Sequence, residues 1–197
     1  MTLSVTQFSR TLRRTAFACV SFMAAMGLFG VPAAGTEIPF AEAVALHDAG
    51  RDGDTRATAR AVEAFGILVE IDAGNPLANA YLGSSYALLA RDARSVTDKI
   101  RYTNRGLRHL DTAVVLAPDN FVVRLVRANV TASLPAMFGR RDGTIEDMLE
   151  LDAVFSVARS PAMAGQMIGI YGLLADMAPE AGDWQAKADT ARKLAGM

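Results

Sequence analysis

From Ile38 to the C-terminus the chain is punctuated at short intervals by helix stops and starts, with no strand signal between them. No other feature constrains the fold as much. Asn75-Pro76 puts a capping residue before a proline suited to the first helical position, and Ser160-Pro161 repeats the device. Ser95-x-x-Asp98 and Thr144-x-x-Asp147 resemble capping boxes with Asp in place of Glu. Stops fall at Gly50 and Gly53, Ala73-Gly74, Pro118, Pro135, Ser160-Pro161 and Pro179. The spacing predicts helices over 39–50, 54–72, 76–91, 95–117, 120–134, 144–159, 161–178 and 183–195. Loops this short force neighbouring helices antiparallel, so eight helices make four hairpins. An apolar fraction of 51% is enough to bury a core and excludes a disordered chain.

Residues 1–35 read differently. Arg10, Arg13 and Arg14 precede an apolar run from Ala16 to Val31, and Pro32-Ala33-Ala34-Gly35 follows. Basic region, apolar region and small residues are the three parts of a secretory signal peptide. Cleavage is expected after Val31-x-Ala33 or Ala33-x-Gly35, leaving one domain over 36–197 in the periplasm or otherwise exported. The alternative is an uncleaved inner-membrane anchor, since the run is close to the shortest that crosses a bilayer. The body lies outside the cytoplasm in either case. Cys19, the single cysteine, would leave with a cleaved signal, so no disulfide is expected in the body.

Internal similarity bears on the fold. Glu70-Ile71-Asp72-Ala73-Gly74-Asn75-Pro76 and Val115-Leu116-Ala117-Pro118-Asp119-Asn120-Phe121 each close one apolar helix and open another. Leu82-Gly83-x-x-Tyr86 resembles the first-helix signature of the tetratricopeptide repeat (TPR). Ala61 and Phe65 match that repeat's second helix, Pro118 its end position and Ala128 its small position. The match is degenerate. From Ala73 to Pro118 is 45 residues, against a family period of about 34, and Leu134 to Gly143 interrupts the third unit. The stretch Leu116 to Arg141 also resembles bacterial repeat proteins, a likeness that implies fold and no activity. The expected fold is all-α: stacked antiparallel hairpins of a TPR-like solenoid. The resemblance implies a concave face lined by Leu77, Ala80, Tyr81 and Ser84 from one unit and by Val122, Leu125, Asn129 and Ala132 from the next. Small residues at Ala61, Gly83 and Ala128 would let helices approach, with Phe65 and Tyr86 filling the space beside them.

The net charge of -1 hides an asymmetry. Residues 36–90 carry three basic and eight acidic side chains, 91–141 ten and four, and 142–197 four and nine. Neutralisation between neighbouring helices is one expectation, with Arg124 and Arg127 pairing to Glu146, Asp147 or Glu150 of the next hairpin. A basic binding face is the other. Arg101, Arg105 and Arg108 share one side of a helix at i, i+4, i+7, and Arg140-Arg141 sit on a Gly-bounded loop that could cover it. Arginine forks suit carboxylates and phosphates, so an anionic ligand or lipid headgroup fits this face. The near-zero charge argues against a nucleic-acid partner.

Catalytic chemistry has no motif here. His47 and His109 stand apart, with no cysteine cluster or His-x-x-x-His, so no metal and no cofactor is expected. Ser84-Ser85 lies within a helix rather than on a strand–turn–helix elbow, and no phosphate loop occurs. Met163 and Met167 read as core filling. Gly165, Gly169 and Gly172 read as a close-packing stripe against a neighbouring hairpin. The expected function is a non-catalytic interaction module that takes an unidentified protein partner in its concave groove. The alternative is a carrier of a small anionic ligand on the arginine face.

Overall fold

A computed structural model of the protein describes residues 39–197, and the expected leader, 1–35, lies outside them. Eight α-helices follow in order: α1 (Phe40–Arg51), α2 (Thr55–Ile71), α3 (Pro76–Asp92), α4 (Val96–Leu116), α5 (Phe121–Ala132), α6 (Arg141–Ala158), α7 (Pro161–Met177) and α8 (Trp184–Ala195). Two one-turn 3-10 helices, Ala136–Phe138 and Pro179–Ala181, occupy the longer connections. There is no strand among the described residues. The helices pair as α1–α2, α3–α4, α5–α6 and α7–α8. The first helices α1, α3 and α5 also pack side by side, while the fourth hairpin joins the third mainly through α6 and α7. This is the all-α stack of hairpins expected from the punctuation.

Most of the caps do what their residue types suggest. Asp54 accepts from the amides of Arg56 and Ala57, Asn75 from Ala78, Asn120 from Val122 and Val123, and Asp183 from Ala186. Ser95 accepts from Asp98 N at 3.0 Å and its hydroxyl donates to that residue's carboxylate at 2.8 Å. Each bond satisfies an amide that the first helical turn leaves without a partner. Ser160 stands at the cap of α7, but its side chain makes no cap bond.

One expected start is corrected. The box Thr144-x-x-Asp147 does not open a helix, because α6 begins at Arg141 and carries both residues inside it. The Thr144 hydroxyl bonds the Arg140 carbonyl and Thr131 instead, at 2.7 and 2.8 Å. Asp147 is 0% exposed and is taken by two arginines of α5. A buried carboxylate with charged partners outweighs a local cap, because leaving it unpaired would cost several kcal/mol.

The interior is segmented, as in a repeat protein whose units contact only their neighbours. Ala43, Ala61, Ala64, Phe65 and Leu82 form one cluster across α1, α2 and α3. Ala80, Ala113, Val114 and Val123 form a second across α3, α4 and α5. A third, from Ala128 and Met148 to Trp184 and Ala191, fills the last two hairpins and includes Met167, with Met163 packed against it. Phe65 stacks on Tyr81 at 5.3 Å between ring centroids. Tyr86 stacks between Tyr102 and His109 at 6.4 and 5.9 Å.

The glycine stripe of α7 is a second correction. A Cβ at Gly165, Gly169 or Gly172 would meet nothing within 4 Å, so these glycines are not held by a neighbouring hairpin. They lie on exposed parts of α7, while the core side is carried by Ala164, Met167, Ile170, Tyr171 and Leu174.

Candidate functional site

The stacking of α1, α3 and α5 leaves a groove of about 980 Å³. Its walls come from five places: the C-terminal part of α1, α3 from Tyr81 onward, the first two turns of α4, α5, and the connection 133–138. Gln166 of α7 closes one side. Two elements complete it. Helix α4, the longest of the described helices at 21 residues, brings Val96, Lys99, Ile100 and Thr103 of its first two turns to the groove. The connection between α5 and α6 supplies Leu134, Pro135, Met137 and Phe138. Gly139, at φ +62°, ends that segment in the left-handed region where glycine is unstrained.

Of the residues expected on a concave face, Tyr81, Ser84, Val122, Leu125 and Asn129 line the groove. Leu77, Ala80 and Ala132 do not. Ala80 is fully buried between α4 and α5, and Leu77 packs against the same cluster. Ala132 packs on the core of the last two hairpins. The sequence reading missed the groove's charged end, formed by Asp48, Arg51, Arg91 and Lys99. Arg91 was hidden because its role is long-range: it donates to the carbonyls of Gly50 and Arg51 at the end of α1, at 2.9 and 3.2 Å, and pairs with Asp92 at 2.7 Å. The basic count of the middle segment was the available signal.

His47 and Ser84 form a buried hydrogen bond in the groove wall, Nε2 to Oγ at 2.9 Å. Asp48 lies 3.4 Å from the other ring nitrogen, and the Tyr81 ring meets the imidazole edge-on at 5.2 Å. Burial lowers the His47 pKa, opposed by Asp48. The order Ser, His, Asp invites comparison with a nucleophilic triad, but Ser84 sits inside α3, where backbone amides are spent on the helix and offer no oxyanion hole. The arrangement lets two polar side chains satisfy each other in an apolar wall.

The arginine face is divided. Arg101 pairs with Asp98 at 2.7 Å and lies 4.9 Å above the Tyr102 ring. Arg105 lies 5.5 Å above the Tyr86 ring. Arg105 and Arg108 have no carboxylate in ion-pair range among the described residues. Arg140 and Arg141 are turned to other partners. Arg140 grips both oxygens of Asp111, at 3.0 and 2.9 Å, and Arg141 donates to the Met177 carbonyl at the end of α7. Arg124 and Arg127 hold Asp147 at 2.6 Å each, and Arg127 reaches Asp111 at 3.4 Å. Asp147 is among the expected partners, but it lies on α6 of the same hairpin rather than on the next one, and Arg127 adds a further link to α4. Every buried side-chain polar atom among the described residues has a partner.

No helix among the described residues is long and apolar enough to cross a membrane, and no group of three or more His, Cys, Asp or Glu among them could hold a metal. No family model matches the chain, and no curated protein is similar enough in sequence to stand as a relative. Among solved structures, the chain is similar to a thermophilic TPR protein of Thermus thermophilus. The two are 17% identical, with 77% of this chain and 89% of that one covered, at a TM-score of 0.44.

Proposed function

We propose that the chain is an exported, non-catalytic interaction module that takes a segment of a partner protein in the groove between α1, α3, the start of α4 and α5. The supporting observation is a convergence of exposed apolar side chains. Val96 is 72% exposed and Met137 76%, and both line this groove together with Ile100 and Val122. Singly scattered surface hydrophobes need no explanation, but a cluster along one concavity marks an interaction surface. Export rests on the basic, apolar and small-residue order of residues 10–35.

The test is a crosslinked pull-down of the full chain from its native envelope, with Leu125→Glu and Val96→Glu alongside. Leu125 packs partly on a core, whereas Val96 is largely exposed, so the second variant separates binding from folding. A stoichiometric protein partner lost in both variants, with helical circular dichroism intact in Val96→Glu, is the expected result. Binding that survives both variants overturns the groove. An intact mass that retains residues 1–35 overturns a cleaved leader.

A second reading, an anionic small ligand, is supported by Arg105 and Arg108 beside the Tyr86–His109 stack. It predicts a co-purifying anion in native mass spectrometry that Arg105→Glu removes. A clean mass with no thermal shift from anions eliminates it.

A further inference from the structure

We infer that the segment fitting the groove is an amphipathic helix, apolar along one face and carrying an Asp or Glu at the end that meets Arg51 and Lys99. This rests on the reading of the groove as a partner site and adds the partner's chemistry.

The groove is charged at one end only. Its charged lining residues are Asp48 and Arg51 of α1, Arg91 of α3 and Lys99 of α4. Because Arg91 caps the last carbonyls of α1, the ends of α1 and α3 lie together. Helix α4 starts only a few residues beyond α3, so Lys99 in its first turn belongs to the same end. In contrast, every lining residue from α5 and from 133–138 is uncharged, and most are apolar.

The cations exceed what the chain itself neutralises. Arg91 is committed to Asp92 and to two carbonyls. Arg51 reaches Asp48 only at 3.7 Å, and that acid also faces His47. Lys99 has no carboxylate in ion-pair range among the described residues. An occupant with a carboxylate at this end completes the charge balance, and one with a cation there is repelled.

A helix fits where an extended segment does not. Most of the wall is helical, so its backbone groups are used internally and offer no strand edge to pair with. An extended segment against Val122, Leu125, Val126 and Phe138 would bury amides and carbonyls without partners, at a cost of a few kcal/mol each. A helix brings its own backbone bonds.

The experiment selects binders from a display library of random 16-residue peptides against the full chain, and then repeats the selection against Arg51→Glu/Lys99→Glu. Both substituted side chains are exposed, and circular dichroism checks that the helices persist. The expected binders place apolar residues at i, i+3 or i+4, and i+7, with Asp or Glu enriched at one end. They lose at least tenfold in affinity for the charge-reversed variant, whose own selection favours Lys or Arg there. Binders that depend on Val96 and Leu125 but show no acidic preference, or that alternate apolar residues at i, i+2, overturn the inference and leave the groove reading standing. A library with no binder sensitive to Val96→Glu or Leu125→Glu overturns both.

Discussion

Gly83 of α3 and Gly106 of α4 face each other where the two helices cross, each occupying the space that a side chain on the other would need. A Cβ on Gly83 would lie 2.7 Å from the Gly106 carbonyl oxygen, and one on Gly106 would lie 2.6 Å from that of Gly83. Leu110 closes the same contact, with its Cγ 2.7 Å from the first of these positions. The obstacle is backbone, so it cannot rotate away. Helix propensity alone favours alanine by about 1 kcal/mol. The forced separation of two packed helices costs about 1–3 kcal/mol or more and wins. Gly83→Ala and Gly106→Ala are therefore expected to lower the urea midpoint, whereas Gly165→Ala and Gly169→Ala, with open space around them, are expected to raise it by up to about 1 kcal/mol of stability. If all four substitutions shift the midpoint in one direction, the close crossing is wrong.

Asp147 sets a second test. Its carboxylate is fully buried and held by Arg124 and Arg127, which are themselves only 12% and 17% exposed. Asp147→Ala leaves two guanidinium groups in a half-buried site with no carboxylate between them. The expected loss is about 3 kcal/mol, in the range for breaking a buried pair. Asp111→Ala, at an acid 39% exposed, is expected to lose under about 1 kcal/mol. Equal losses at the two positions would show that Asp147 is not the centre of this network.

How far the fold could be read in advance follows from the range of the forces involved. Asn75, Ser95 and Asn120 act on amides two or three residues away, so their helix starts were legible. Gly83 was legible through its place in a repeat motif, but Gly106 was not, because a glycine inside a helix signals only a propensity cost until its neighbour is known. Thr144 and Asp147 misled for the same reason. A local capping box and a carboxylate reserved for a distant arginine have one and the same sequence. Five of the eight expected concave residues line the groove. Its charged end showed only as an excess of basic residues in the middle segment, because Arg91 meets α1 some forty residues away in sequence. The glycine stripe on α7 named a surface suited to close approach but could not say that nothing approaches it.

Arg159 ends α6 in the left-handed region, at φ 43° and ψ 38°, and is the non-glycine residue with positive φ among the described residues. Its amide donates to the Phe155 carbonyl at 2.8 Å, the bond that a helix-terminating glycine usually makes. The side chain is exposed and has no ion pair among the described residues. For an L-residue with a Cβ this backbone costs roughly 1–2 kcal/mol, part of which glycine returns through greater freedom when unfolded. Arg159→Gly is expected to stabilise the chain by about 0.5–1 kcal/mol, read from chemical denaturation. Gly139→Ala places a Cβ in the same region and is expected to destabilise by about 1 kcal/mol. A loss of stability in Arg159→Gly would mean that the guanidinium makes a contact that offsets the strain.

His47 and His109 together set how stability responds to acid. Both have pKa values below the usual 6.5, with burial the leading cause at each. Asp48 opposes the shift at His47, while Arg108 and Arg105 add to it at His109. Each ring is neutral and engaged in the folded chain, His47 with Ser84 and His109 with Asn79 at 3.1 Å. Between the folded pKa and 6.5 the unfolded chain binds more protons, so stability rises with pH across that window. The contribution is complete above 6.5 and is lost as pH falls through 6.5 towards the folded values. The urea midpoint is accordingly expected to drop between about pH 7.5 and about pH 5.5, while most carboxylates remain ionised. The double variant His47→Gln/His109→Gln, whatever its absolute stability, is expected to show a flatter profile over the same interval. An unchanged slope in that variant would assign the acid sensitivity to other groups and remove the two histidines from the account.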